Sequence, residues 1–283
     1  MTSTLKLLTK HQIVIKKNDK NRKTMKKLNQ INRRDFLISS LATAALTPGI
    51  VQCVFCDQPQ KKHVVVVWSE NTAPKDVYPK DINNAIADSL KSLDGWEVIA
   101  ASIDEPHQGL PDDLLKRTDV LIWWGHKRHD EVKNELVDKI YKRVTEEGMG
   151  FISLHSSHFA KPYKKLMGTA CTWREYKADG TSVKIIVKDP NHPIAKGVKD
   201  FELPKIERYG EPFAVPEPEA VVLDGIYTKP DGKTEPGRMG MCWTVGKGKV
   251  FYFTPGHETY DDFFRKEVIQ IMKNAVQWAC PAK

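Results

Sequence analysis

Residues 63–68 (HVVVVW) form an unbroken β-branched run, the pattern of a strand buried on both faces. Residues 81–93 switch to a helical period, with Ile82, Ile86, Leu90 and Leu93 on one face, and stop at Asp94-Gly95. Residues 96–102 read as a second strand and 119–124 (DVLIWW) as a third, followed by Gly125-His126. A helix is predicted over 131–145, with Val132, Leu136, Ile140 and Val144 inward. Gly148-Met149-Gly150 turns the chain into a fourth strand, 151–154, ending at His155. Strands alternating with helices in this way predict an α/β fold: a flavodoxin-like parallel sheet with helices on both faces.

The second half is less regular. Residues 183–187 and 220–227 read as strands separated by proline-rich loops, and 173–176 and 207–211 read as loops. Residues 240–245 and 249–253 flank Gly246-Lys247-Gly248, a hairpin signature. A helix over 263–278 closes the chain. The expectation is an irregular β-rich insertion in the second half of a single domain spanning 60–281.

Charge changes the picture at the N-terminus. The formal net charge is +8 over 283 residues, which at face value suggests an acidic partner. Residues 1–50, however, hold 11 Lys/Arg against Asp19 and Asp35, so the leader carries +9 and the body −1. Nucleic acid is therefore not an expected partner. Arg33-Arg34 precedes a modest apolar stretch, 36–46, which is the pattern of a twin-arginine export signal. Cleavage is expected after Ala42-Thr43-Ala44, and Met25 reads as a conventional start for such a signal. A disordered basic tail is the alternative. The expected location is periplasmic or extracellular. No apolar run reaches the roughly 18–20 residues of a membrane span, so no stable membrane insertion is expected once the leader is removed. The five cysteines are an odd count and do not form a disulfide pattern; Cys53-x-x-Cys56 is a lone pair with a weak zinc or redox reading.

Candidate chemistry gathers at strand ends. In open α/β sheets ligands bind beyond the carboxyl ends of the strands. His126 and His129 follow the third strand, His155 and His158 the fourth, and His257 the last, so five of nine histidines are expected on one rim. Neutral imidazoles with a carboxylate are ligands for a divalent metal such as zinc, here His126, His155 and His257, with Glu207, Glu211 and Glu258 as candidate carboxylates. The competing use is general acid–base work by a His–Glu pair, which makes His126, His155, Glu211, His257 and Glu258 the candidate catalytic residues. Ser156 occupies a strand-to-turn position open either to a nucleophile or to helix capping by Ser156 or Ser157. Trp173, Arg174, Glu207, Tyr209 and Tyr260 mix aromatic faces with charge, suited to gripping a polyhydroxylated ligand together with His129, Ser156 and His158.

At these residues the chain resembles the trehalose-utilisation (ThuA-like) family. The resemblance lies in DVLIWWGH from Asp119 to His126, in Leu154-His155-Ser156-x-His158-Phe159, in Trp173-Arg174-Glu175, in Glu207-x-Tyr209-Gly210-Glu211 and in the run from Gly246 to Tyr260. It implies a class I glutamine amidotransferase-like fold and a role in disaccharide utilisation, alongside dehydrogenases that oxidise a glucosyl C3 hydroxyl. Amidotransferases carry a Cys–His–Glu triad with the Cys on an elbow. Here the elbow reads His155-Ser156, with His257-Glu258 similar to the end of that triad at a different spacing. The resulting expectation is an exported protein acting on a disaccharide or 3-keto-sugar by hydrolysis, elimination or isomerisation. A non-catalytic carbohydrate-binding protein and a Ser-dependent amidotransferase-like hydrolase are the alternatives. A small-molecule carbohydrate is the expected partner, with a homo-oligomer open.

Overall fold

The β-branched run lies inside the sheet. In the computed structural model, which describes residues 62–282, β1 (His63–Ser69) pairs in parallel with β2 (Trp96–Ser102) on one side and β3 (Val120–Trp124) on the other. The leader, the Arg33-Arg34 pair, the cleavage segment, Cys53 and Cys56 lie outside the described residues. β4 (Gly150–Leu154) pairs in parallel with β3, and β11 (Gly248–Phe253) with β4, giving the flavodoxin-like order β2-β1-β3-β4-β11.

Alternate residues of β1 enter opposite cores. Val65 and Val67 pack with α1 (Asp81–Leu90) and α5 (Lys266–Ala279). Val64, Val66 and Trp68 pack with α2 (Asp112–Arg117), α3 (Asn134–Glu147) and α4 (Lys161–Met167). Helices thus cover both faces, and each fully buried aliphatic side chain contributes about 1.5–3 kcal/mol. α3 ends where Gly148 takes φ +82 and its amide reaches the Val144 carbonyl at 3.2 Å.

Two predicted helices begin three residues late. The chain makes a single 3-10 turn at His129–Glu131, then extends at Lys133 before α3 starts; a second such turn at Asp262–Phe264 and an extended Arg265 precede α5. Apolar spacing carries across these turns, so periodicity alone merges them with the helix.

The β-rich second half prolongs the sheet. β10 (Thr234–Val245) pairs antiparallel with β11, β9 (Ala220–Thr228) with β10, β6 (Ser182–Val187) with β9, and β7 (Phe201–Leu203) with β6, giving nine strands in all. The segments read as loops are strands as well: β5 (Trp173–Lys177) and β8 (Arg208–Phe213) form a separate antiparallel pair. Trp173 stacks on Phe213 there, with centroids 4.0 Å apart and planes at 1°. Among the described residues no helix is long and apolar enough to cross a membrane.

Candidate functional site

Three parallel strands deliver three imidazoles to one rim. His126 follows β3 after Gly125, His155 is the first residue beyond β4, and His257 lies four residues past β11. Their ring centroids stand 5.8 Å (His126–His155), 5.1 Å (His126–His257) and 5.3 Å (His155–His257) apart. Glu207, just before β8, brings a carboxylate oxygen 3.0 Å from His155 Nε2. One donor atom from each of these four residues lies within 4.8 Å of the others.

His155 sits on a bend. Its φ is +51, a left-handed conformation that a residue with a Cβ adopts at a cost. The elbow position belongs to this imidazole, and Ser156 is the residue after it. Neither serine caps a helix: the turn at His155–Phe159 has no side-chain cap. Ser157 Oγ donates to the Trp123 carbonyl at 3.0 Å and accepts from the Gly125 amide at 2.8 Å, tying β3 to this turn.

The geometry of Ser156 bears on the nucleophile reading. Its Oγ lies 2.9 Å from His126 Nδ1, and Glu258 Oε2 lies 3.1 Å from the same nitrogen. A Ser–His–carboxylate triad needs the two ring nitrogens to serve different partners. Here both partners meet Nδ1, so the imidazole cannot take the serine proton while donating to the carboxylate. Ser156 Oγ is engaged on its other side by Tyr209 Oη at 2.8 Å. Tyr209 is 1% exposed, and its hydroxyl reaches Glu207 Oε2 at 3.0 Å and His155 Nε2 at 3.2 Å.

Supports behind the rings set their tautomers. His155 Nδ1 donates to the Thr254 carbonyl at 2.9 Å, so Nε2 is the ring atom that faces Glu207. Thr259 offers His257 Nδ1 both a hydroxyl, at 2.8 Å, and an amide N–H, at 3.2 Å, so either tautomer of that ring has a partner.

Charges in the group are strongly perturbed. Burial works against the Glu207 carboxylate, but the hydrogen bond and charge of His155 outweigh it and hold the group down at about 2. Burial likewise opposes Glu258, and hydrogen bonds from His126 and from Lys127, whose Nζ is 2.9 Å away, hold it well below the usual carboxylate range. Burial opposes charge on His126, yet Glu258 raises its pKa above the ordinary value. Burial and the neighbouring His155 push His257 down to about 4. The two adjacent imidazoles are thus shifted in opposite directions, which makes this group the candidate site.

The remaining candidates fall in several places. His129 is not in the group. It stands behind Gly125, with Nδ1 3.3 Å from Glu70 Oε1, and burial lowers its pKa. His158 is fully buried among Phe159, Tyr176 and Tyr209, with Nδ1 2.7 Å from the Cys171 carbonyl, and burial holds it neutral with a pKa near 3. Glu211 is apart from the histidines, gripped by Arg238 through two bonds of 2.8 and 2.9 Å. Trp173 is core packing, and Arg174 is exposed beside Glu175. Tyr260 packs 5.2 Å from the His257 ring.

Glu70 is the residue that sequence reasoning passed over. It follows β1 at the same rim, is 0% exposed, and its Oε2 accepts the amides of His126 (2.7 Å), Lys127 (2.7 Å) and Arg128 (2.9 Å). A Cβ on Gly125 would lie 2.6 Å from Glu70 Oε1. An acidic residue directly beyond a strand buried on both faces was the available signal.

Comparison with known proteins agrees with this architecture. No curated protein matches the chain. Among solved structures, a ThuA-like protein of Bacteroides uniformis superposes with a TM-score of 0.55 at 16% identity, covering 79% of this chain and 94% of its own. A ThuA-like protein of Parabacteroides merdae gives 0.55 at 11% identity, covering 77% and 90%. A protein of Salmonella typhimurium described as cytoplasmic gives 0.54 at 15%, covering 77% and 99%. At such identities the likeness is one of fold. The sequence pattern of the ThuA family, described as trehalose utilisation, matches residues 64–279, and the chain belongs to that family.

Proposed function

We propose that the chain is an exported carbohydrate-processing enzyme acting on a disaccharide or 3-keto-sugar at a divalent-metal site. The observation that carries this reading is the convergence of His126, His155, His257 and Glu207, with donor atoms within 4.8 Å of one another. Three imidazoles and one carboxylate form a donor set suited to zinc and its neighbours. The supports fit the group too. The Thr254 carbonyl orients His155, and Glu258 backs His126 Nδ1, as ligating imidazoles require.

His126, His155 and Glu207 would hold the ion. His257, with a partner for either tautomer, would complete the donor set. A divalent ion there would polarise a sugar carbonyl or hydroxyl. A ketone at C3 acidifies the neighbouring C–H, so its loss as a proton is the step such a site would favour. The Tyr209 and Ser156 hydroxyls hold Glu207 and His126 in place.

The test is metal analysis of purified mature protein joined to turnover of 3-keto-disaccharides. Expected are one divalent ion per chain, its loss in His155→Ala, and loss of turnover in His257→Ala. An ion-free protein, or wild-type turnover in His257→Ala, overturns the assignment. Export rests on Arg33-Arg34 and the apolar stretch behind it. Retention of the full chain in the cytoplasm, whether or not Arg33-Arg34 is replaced by Lys-Lys, overturns that part.

A further inference from the structure

β10 loses register with β9 close to His155. Arg238 stands opposite Asp224 and Gly240 opposite Leu223, so Met239 between them has no counterpart and the strand bulges. The Arg238 and Met239 carbonyls both accept from one residue beyond β11. Thr254 Oγ1 donates to the first at 2.8 Å, and the Thr254 amide donates to the second at 3.0 Å. Thr254 is fully buried, and its own carbonyl accepts from His155 Nδ1 at 2.9 Å. The bulge is thus the seat on which one of the four donors is oriented.

Glu211 clamps that bulge. Its Oε1 accepts from Arg238 Nε at 2.8 Å and from the Arg238 amide at 3.4 Å. Its Oε2 accepts from Arg238 Nη2 at 2.9 Å and from the Phe213 amide at 2.9 Å. One carboxylate therefore fixes the side chain and the main chain of Arg238 and ties both to β8, the strand that Glu207 precedes. Two parallel bonds set orientation as well as distance. The two side chains are 23% and 29% exposed, and an ion pair so placed adds little to stability. Bulges beside functional sites re-aim side chains, and a bulge can do so only if its own direction is held.

We propose that Glu211 and Arg238 are positioning residues of the histidine group. They hold the β10 bulge so that Thr254 presents its carbonyl to His155 Nδ1, which keeps Nε2 aimed at Glu207. The proposal rests on the metal reading above. It gives Glu211 a task other than the acid–base role expected from its sequence position, because it acts through Thr254 and not on a substrate.

The experiment measures zinc affinity by chelator competition, and the visible spectrum of the cobalt-substituted protein, on the full chain in wild type, Glu211→Gln, Arg238→Ala and Glu97→Gln. Glu97 forms a comparable two-bond pair with Arg117 on β2, far from this network in the sheet order, so its variant controls for loss of a surface pair. Glu211→Gln keeps the shape of a part-exposed side chain and folds even where Arg238→Ala does not. Expected are zinc binding about tenfold weaker and shifted cobalt bands in Glu211→Gln and Arg238→Ala, with neither change in Glu97→Gln. Wild-type affinity and bands in folded Glu211→Gln overturn the positioning role and leave the metal site standing. Equal weakening in Glu97→Gln does the same. A wild type that binds neither metal overturns both.

Discussion

Glu70 Oε2 accepts the backbone N–H of His126 at 2.7 Å, so a side chain at the end of β1 fixes the main chain that presents an imidazole at the end of β3. Two further amides share that oxygen. Replacing Glu70 by Ala takes the acceptor from three part-buried amides, at no more than about 1–3 kcal/mol apiece since water can reach that loop. Glu70→Ala is expected to lower the midpoint of urea unfolding and to weaken zinc binding about 10–100-fold, as loss of a supporting partner does. Unfolding curves and a chelator competition check both, and an unaltered zinc affinity in a folded Glu70→Ala protein contradicts the positioning role.

Gly125→Ala tests the same junction from the other side. The added methyl would meet Glu70 Oε1 at 2.6 Å and His129 Cε1 at 3.3 Å. Glu70 cannot swing aside without releasing the loop. A loss of about 1–3 kcal/mol is expected by chemical denaturation.

The elbow predicts an inversion of the usual order of glycine and alanine. His155 holds φ +51, where a Cβ is strained and glycine is not. Both His155→Gly and His155→Ala should lose the donor and turnover, yet the glycine variant should be the more stable by about 1 kcal/mol. Thermal melts should separate the two by about 2–4 °C. An alanine variant that melts at or above the glycine variant removes the strain argument.

Asp262 supplies a pH dependence away from the donor group. Its carboxyl is 1% exposed, and burial pushes it up to about 7, against about 3.9 in an unfolded chain. Between about pH 4 and pH 7 the native state holds a proton that the unfolded state has lost. Stability from this residue is therefore complete below about pH 4 and is lost as pH rises through 7, by up to about 4 kcal/mol. Urea midpoints at pH 5 and pH 8 should differ less in Asp262→Asn than in wild type.

Ser156→Ala separates a hydrogen-bonding serine from a nucleophile. With Ser156 and Glu258 both at His126 Nδ1, the hydroxyl orients and does not attack. Turnover should fall by about tenfold or less, whereas loss of a serine nucleophile removes about 10⁶-fold.

The parallel half of the fold was legible because its signals are local. HVVVVW admits one reading, and the helices between strands repeat their apolar residues at 3.6. β5 and β8 were not, because their burial does not alternate: Arg208, Tyr209 and Gly210 are all buried in succession while Lys177 and Arg174 are exposed. Such strands look like loops until their partner is known. The histidines were legible through one rule, that ligands gather beyond strand ends. That rule placed His126, His155 and His257 on a shared rim but could not exclude His129, which turns toward Glu70, or His158, which is buried among aromatic rings. Glu207 and Glu211 are four residues apart on the same segment, and their partners, His155 for the first and Arg238 for the second, distinguish them.

The donors stand at positions 126, 155, 207 and 257, and each follows or precedes a different strand. A chain folded only as far as His155, just beyond β4, possesses two of the imidazoles and not the Glu207 carboxylate. Glu207 arrives with the β5–β8 pair, and His257 only when β11 docks beside β4. An ion taken up at this rim would therefore close three long chain loops at once, and would be held at full strength only by a finished molecule. If the rim holds the proposed ion, the donor set doubles as a certificate of completed folding: a chain ending before β11 is expected to lose the ion readily.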